Sequence, residues 1–245
     1  MKKVLLMGNS HAGSIKCGLD MAIAQGLLDI VYETCCGPAG SAVFQGLYLE
    51  SEKSQILHST LKEAPYNGVN FPVKLSNYDS IILTGPINPL KALVMFAKWQ
   101  SKCDSAPASE SLVYDSFRFR IGQLQSYPDF RLYSQLLDMY SKKCIYVGRP
   151  ISSPIKPQPV LSKFHGSVMK LQEVIVMRLA DTDSFSVVFP PASVLDGLTT
   201  KSKFLRGGVN VEGLQHGRSN SSDRSHMNPE YGLEIVKEMI ACGAI

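Results

Sequence analysis

The stretch KKVLLMGNSH, residues 2–11, decides the fold of this chain. Two lysines lead into four consecutive apolar residues, and a glycine followed by polar residues ends the run. A short apolar run bounded by turn residues is typical of a central strand in a parallel sheet, where both faces are buried. The sequence therefore predicts a strand over residues 2–7 with a sharp turn directly after it.

The segment after this turn has helical periodicity. Its apolar side chains recur at the spacing of one helix face, at Ala12, Ile15, Leu19, Ala22 and Ile23. We predict a helix over residues 11–25 that ends at Gly26. A second strand is predicted over residues 28–32, before the turn-rich stretch 35–40. A strand, a helix and a strand of this length form a βαβ unit.

The same reasoning places the remaining elements and sets the fold class. We predict a hairpin at 47–49 and 55–57, strands at 79–84, 144–148 and 186–189, and helices at 91–100, 133–142 and 170–179. A last helix is predicted to run to about Cys242, with Ser225 or Asn228 as its cap and Pro229 in its first turn. The Pro- and Ser-rich segment 152–159 is interpreted as an insertion, because too little chain follows it for an independent core. The prediction is one domain over residues 1–245, an α/β fold with three α/β/α layers, flavodoxin-like, around a mostly parallel central sheet.

Composition and charge exclude several classes of protein. Of the 245 residues, 44% are hydrophobic and 19% are charged, which is the balance of a globular domain. The net charge is +4, but lysine and arginine are scattered along the chain, so no nucleic-acid partner is expected. The apolar run at residues 4–7 is too short for a signal peptide or a membrane span. The sequence does not indicate an oligomeric state.

The cysteines predict neither a disulfide nor a metal site. The six have no CxxC pair and no zinc-binding spacing: Cys17, Cys35, Cys36, Cys103, Cys144 and Cys242. We interpret them as reduced thiols, mostly small core residues, of a cytoplasmic protein that holds no metal and no cofactor. The segment GNSHAG, residues 8–13, also lacks the glycine spacing of a dinucleotide-binding fingerprint.

Ser10 is the candidate nucleophile. It follows a buried strand and precedes a helix, and this position exposes a side chain at the carboxyl edge of a parallel sheet. The start of the helix adds backbone N–H donors and a partial positive charge, which suit a developing oxyanion. Alternatively, Ser10 caps the helix, a common role for serine.

Asp223 and His226 are the candidate partners of Ser10. They lie three residues apart before the last helix, a spacing that lets a carboxylate orient an imidazole. Alternatively, they form a capping pair with an exposed histidine. Of the other histidines, His11 is expected to face the sheet edge or solvent, and the rest are predicted to be ordinary surface or loop residues: His58, His165 and His216.

The two ends of the chain resemble one known family. The residues GNSH, 8–11, after KVLLM, 3–7, resemble the first block of the SGNH (GDSL-like) hydrolase superfamily, and DRSHMN, 223–228, resembles its last block, Asp-x-x-His, ahead of the terminal helix. The resemblance implies the SGNH hydrolase fold with a Ser10, His226 and Asp223 triad.

The resemblance also implies two oxyanion donors besides the backbone of Ser10. One is a glycine N–H after the second strand, for which Gly37 fits and Gly40 is the rival. The other is an asparagine after the third strand, for which Asn88 is the candidate. Here the segment GPINP, 85–89, departs from the family's Gly-x-Asn-Asp, with one residue more and no acid after the asparagine. Alternatively, each of these residues only forms a turn.

By this resemblance the chain is a serine esterase that hydrolyses a small acyl ester, with an O-acetylated carbohydrate as the preferred substrate. An O-acyltransferase with the same triad is an alternative, because a sugar hydroxyl then replaces water in the second step. A non-catalytic carbohydrate-binding module on the same fold is another, and the departure at Asn88 supports it.

Overall fold

The computed structural model describes residues 1–8, 11–36, 47–62, 68–85, 89–102, 142–148, 164–180, 185–205 and 227–245, with the single positions 109, 111, 112, 115 and 136. The strands in these ranges are β1 Lys2–Gly8, β2 Ile30–Cys36, β3 Leu47–Glu50, β4 Gln55–His58, β5 Val73–Lys74, β6 Ser80–Gly85, β7 Lys143–Gly148, β8 Phe185–Val188, β9 Leu195–Asp196 and β10 Thr199–Thr200. The helices are α1 Ala12–Ala24, α2 Pro89–Gln100, α3 His165–Ala180 and α4 Pro229–Ala241.

A five-stranded parallel sheet forms the centre of the molecule. Its order is β2-β1-β6-β7-β8, so the chain first moves outward from β1 to β2 and then returns past β1 toward β8. Because parallel crossovers are right-handed, connections running in these opposite directions lie on opposite faces of the sheet. α1 packs against α4, and α2 packs against α3. The predicted three-layer α/β/α fold is confirmed.

β1 is the central strand that the opening stretch predicts. The side chains of its residues 4–7 are fully buried, and the strand pairs in parallel with β2 on one side and β6 on the other. α1 starts at Ala12 and is followed by Gly26 in a left-handed conformation (φ 69°), which confirms the predicted end of the helix. Buried aliphatic residues of β6 and β7 continue this core.

The prediction for the second strand was wrong in its limits. The strand spans Ile30–Cys36 instead of residues 28–32, because Cys35 and Cys36 are buried strand residues and not part of a turn. Cysteine packs as a small apolar residue. The polar residue before them, Glu33, is satisfied by a 2.6 Å ion pair with Lys3, so it does not interrupt the strand.

A small antiparallel sheet of order β3-β4-β5 lies beside this core. The predicted hairpin is confirmed, with Glu50 opposite Gln55 and Ser54 in a left-handed conformation (φ 50°) at the turn. The third strand, Val73–Lys74, is too short to show a period of two, which explains why the sequence pattern missed it. The same holds for the two-residue strands β9 and β10.

The prediction of His58 as an ordinary surface or loop residue was also wrong. The side chain is buried at the end of β4, its ring lies 5.5 Å from that of Phe71, and its Nδ1 accepts hydrogen bonds from the backbone N–H groups of Thr60 (3.1 Å) and Leu61 (3.0 Å). The ring therefore organises the turn after the hairpin.

The later helices agree with prediction in type and differ in length. α2 starts two residues early, at Pro89, and α3 starts five residues early, at His165. α4 is capped by Asn228 with Pro229 as its first residue, one of the two predicted caps. The segments 133–142 and 152–159 lie outside the described residues, apart from positions 136 and 142. Within the described ranges, no helix is both long and apolar enough to cross a membrane.

Candidate active site

Three neighbouring strands end level with one another at one edge of the sheet. Gly8, the last residue of β1, stands in register with Cys36 of β2 and with Thr84 of β6. The segments that follow these strands therefore leave from the same edge, which is where open α/β sheets bind ligands. The predicted site residues all lie outside the described residues: Ser10, Gly37, Gly40, Asn88, Asp223 and His226. Their described neighbours show where each of the segments that carry them begins or ends.

The segment that carries Ser10 starts from a tightly packed strand end. A Cβ atom on Gly8 would lie 1.5 Å from Oγ1 of Thr84, so only glycine fits there. The buried Thr84 hydroxyl donates to the carbonyl oxygen of Met7 at 3.4 Å. This packing fixes β1 against β6 two residues before Ser10.

The same segment ends at the start of α1. His11 occupies the N-cap position with a nearly helical backbone (φ −74°, ψ −18°), and its side chain makes no capping hydrogen bond. The hydroxyl of Ser14 donates to the carbonyl oxygen of His11 at 3.1 Å. The N-cap position of α1 is thus one residue beyond Ser10, which argues against a purely capping role for Ser10.

The segments of the two predicted oxyanion donors flank β1 on either side. Gly37 directly follows Cys36, whose thiol donates to the carbonyl oxygen of Leu6 at 3.4 Å. Asn88 lies between the last residue of β6 and the first residue of α2. Since β2 and β6 are the two neighbours of β1, these segments begin on both sides of the one that carries Ser10.

The segment that carries Asp223 and His226 ends at a well-anchored point. Met227, which directly follows His226, is buried and forms an antiparallel bridge with Leu205. The backbone N–H of Asn228 donates to the carbonyl oxygen of Phe204 at 3.0 Å. The chain therefore enters α4 at a fixed position.

The helices that follow the two motifs touch through their backbones. A Cβ atom on Gly232 of α4 would lie 1.6 Å from the carbonyl oxygen of Ser14 in α1, and one on Gly18 would lie 2.2 Å from the carbonyl carbon of Gly232. Ser14 comes four residues after Ser10, and Gly232 comes six residues after His226. This contact joins α1 and α4, the helices that follow the two motifs in sequence.

A cavity of about 910 Å³ lies along the outer edge of β2. Its walls include Lys16 of α1, Thr34 and Tyr32 of β2, Val69, and Pro229 at the start of α4. Thr34 is two residues from the end of β2, and Pro229 is three residues after His226. Other wall residues, Lys3 and Tyr78, lie at the amino-terminal ends of β1 and β6, so the cavity extends along β2 toward that end of the sheet.

Four charged side chains of this cavity are paired with one another or with tyrosine hydroxyls. Lys16 pairs with Asp20 at 2.8 Å, and the hydroxyl of Tyr32 donates to the same carboxylate. Burial and this hydrogen bond raise the pKa of Tyr32 well above its usual range, so the phenol stays neutral. Burial alone would raise the pKa of Glu33, but hydrogen bonds from Lys3 and Tyr78 hold it below the ordinary value.

Burial keeps three thiols of the central sheet protonated. Burial raises the pKa of Cys35 and of Cys144 to about 12, and it raises that of Cys36 further. A thiol with so high a pKa carries almost no thiolate at neutral pH. In the described part of the chain, no three His, Cys, Asp or Glu side chains are grouped to hold a metal ion.

Several solved structures resemble the chain over nearly its whole length. The lipase Lip_vut3 from a goat rumen metagenome is 9% identical, with a TM-score of 0.48, and the match covers 100% of this chain and 98% of that one. A GDSL-like lipase from Bacteroides thetaiotaomicron is 11% identical (TM-score 0.34, coverage 99% and 87%). The periplasmic domain of a lipopolysaccharide acetyltransferase from Salmonella ser. Paratyphi A is 8% identical (TM-score 0.39, coverage 98% and 82%). No protein-family model matches the sequence, and no curated protein matches it either.

Two of these structures are lipases, one of them GDSL-like, and the third is an acetyltransferase. The likeness is one of fold, and it assigns no role to any residue of this chain.

Sequence reasoning missed the residues that hold the two motif segments in place. Gly18 and Gly232 lie inside helical patterns, and a glycine in such a place often marks a close backbone approach. No sequence pattern pointed to Thr84, because its contact with Gly8 depends on β6 lying beside β1, which the sequence does not show.

Proposed function

We propose that the chain is a serine hydrolase of acyl esters, with Ser10 as nucleophile, His226 as general base and Asp223 as the group that orients the imidazole. One observation carries this proposal. The helix that follows the Ser10 motif and the helix that follows the Asp223 and His226 motif are in backbone contact, at Ser14 and Gly232.

The proposed reaction proceeds in two steps. His226 takes the proton of the Ser10 hydroxyl while Oγ forms a bond to the carbonyl carbon of the ester. The tetrahedral intermediate then collapses, its bond to the alcohol oxygen breaks, and the imidazolium of His226 gives its proton to the leaving alcohol. In the second step water attacks the acyl-enzyme, His226 takes the water proton and returns it to Ser10, and the acid leaves.

Backbone and amide donors would stabilise the oxyanion. The proposed donors are the N–H of Ser10, the N–H of Gly37 and the side chain of Asn88, whose segments start at the ends of three adjacent strands. One donor of this kind contributes about 10²–10³ in rate. Asn88→Ala should therefore lower turnover without abolishing it.

The proposed substrate is a small acyl ester, with acetate as the acyl group and a carbohydrate as the alcohol. Its support is the sequence resemblance of the two terminal motifs.

Labelling with a fluorophosphonate probe tests the nucleophile without knowledge of the substrate. The wild type should gain the mass of one probe, Ser10→Ala should gain none, and the exposed Ser101→Ala should behave as the wild type. A wild type that stays unlabelled, or a Ser10→Ala variant that is labelled, would contradict the proposal.

Acetate release from p-nitrophenyl acetate tests the general base. His226→Ala should lower kcat by about 10³-fold or more, and His165→Ala, at an exposed position in α3, should leave it unchanged. An acceptor sugar added to the wild type then separates hydrolysis from transfer, because a transferase would form an acetylated sugar in place of free acetate.

A further inference from the structure

The side-chain amide of Asn228 makes two hydrogen bonds in opposite directions. Its Oδ1 accepts from the backbone N–H of Tyr231 at 3.0 Å, which caps α4, and its Nδ2 donates to the carbonyl oxygen of Lys203 at 2.8 Å. A flipped amide would set donor against donor and acceptor against acceptor, so the partners determine its orientation. The side chain is buried.

Only one of these bonds is needed for capping. Serine and aspartate cap helices about as well as asparagine, because a cap requires an acceptor alone. The donor Nδ2 is what asparagine adds, and here it ties the start of α4 to a segment more than twenty residues earlier.

The segment that contains Lys203 packs against the hydrophobic core. It belongs to the short 3₁₀ helix Ser202–Phe204, and the buried ring of Phe204 packs edge-on against Tyr231 at 6.3 Å between centroids. Two backbone contacts complete the attachment, from Asn228 N–H to Phe204 and between Met227 and Leu205. Residues 227–228 are thus held to residues 203–205 from backbone and side chain together.

We propose that Asn228 is a positioning residue of the candidate active site, which sets the place of His226 through its bond to Lys203. This inference rests on the proposed function. His226 is one peptide unit from Met227 and two from Asn228, so a displacement of this anchor is passed directly to the base. Misplacement of a catalytic group by about 1 Å is enough to lower a rate by about 10²-fold.

Two variants separate anchoring from capping. Asn228→Asp keeps the size of the side chain and the cap acceptor, but it turns an oxygen toward the carbonyl of Lys203. Asn228→Ser keeps a cap and is too short to reach that carbonyl. Both should lower kcat for p-nitrophenyl acetate by about 10- to 100-fold with little change in KM, at temperatures where circular dichroism shows the protein fully folded.

Two further variants complete the experiment. Gln25→Glu, which makes the same amide-to-carboxylate change at an exposed position outside the cavity, should keep the wild-type kcat. Asn228→Ala should melt at a lower temperature than Asn228→Asp but show a similar kcat, because it loses the cap in addition to the anchor. Wild-type kcat in folded Asn228→Asp and Asn228→Ser, or a kcat that follows melting temperature across the three variants, would overturn the positioning role alone. A wild type without Ser10-dependent turnover would overturn the proposed function, and the positioning role with it.

Discussion

The carbonyl oxygen of Ser14 occupies the space that a Cβ atom on Gly232 would need, with only 1.6 Å between the two positions. Gly232→Ala must therefore push α4 away from α1, because the obstacle is backbone and not a flexible side chain. We expect a loss of at least about 3 kcal/mol in the free energy of unfolding, the upper end for overpacked sites, and a lower kcat. Urea denaturation and ester hydrolysis measure the two effects.

Gly166→Ala is the matched control for this prediction. Gly166 is the second residue of α3, and a Cβ atom there would meet no atom within 4 Å. The substitution should keep activity and raise stability by up to about 1 kcal/mol, because alanine loses less backbone entropy in a helix. Equal stability of the two variants would contradict the close helix contact.

Gly8→Ala should destabilise the sheet edge, mainly through a clash with Thr84 of the neighbouring strand. The added Cβ would lie 1.5 Å from Oγ1 of Thr84 and 2.8 Å from its Cβ. Adding Thr84→Ala removes the first contact and leaves the second, so the double variant should recover part of the loss. A double-mutant cycle of unfolding free energies should give a coupling of about 1 kcal/mol or more, and strict additivity would show that the two residues are not in contact.

Removing the hydroxyl group from two buried tyrosines should change the stability of the protein in opposite directions. The hydroxyl of Tyr231 is buried without a hydrogen-bond partner among the described residues, so Tyr231→Phe should stabilise the protein by about 1 kcal/mol. The hydroxyl of Tyr78 donates to the carboxylate of Glu33, so Tyr78→Phe should cost about 1–2 kcal/mol. Thermal unfolding of both variants in one buffer compares them, and a destabilised Tyr231→Phe would be the contrary result.

Glu33→Gln should change the pH dependence of stability. Hydrogen bonds from Lys3 and Tyr78 hold the pKa of Glu33 below its ordinary value against the opposing effect of burial, so its stabilisation is present above the unfolded pKa of about 4.3 and is lost as pH falls through the folded pKa. The carboxylate is partly exposed, so the effect at pH 7 should stay under about 1 kcal/mol. Unfolding curves of the variant and the wild type should differ at pH 7 and converge near pH 3; a constant difference would show that the carboxylate charge is not involved.

The fold could be predicted because its main signals are local. The apolar run of β1, the spacing along α1 and the Asn-Pro start of α4 each lie within one short stretch of sequence. The limits of β2 could not be predicted, because Cys35 and Cys36 look like turn residues beside a Gly-Pro and become strand residues only through their pairing with Met7 and Gly8.

The sequence indicates which residues could form the candidate site, but it does not indicate how they are arranged in space. The Ser10 and His226 motifs are visible in sequence, and in the structure the helices that follow them, α1 and α4, are in contact. The groups that hold those segments were hidden, since the need for glycine at position 232 depends on a carbonyl oxygen in α1, and the bond of Asn228 depends on the path of residues 203–205.

The contact between α1 and α4 can form only late in the synthesis of the described residues, because α4 follows α1 in the chain. α1 leaves the ribosome before α4, and the backbone it presents at Ser14 and Gly18 stays uncovered until α4 has emerged. The nascent chain therefore contains the proposed nucleophile, Ser10, long before it contains the proposed base, His226. Under the proposed mechanism, ester hydrolysis requires α4 to have docked against α1.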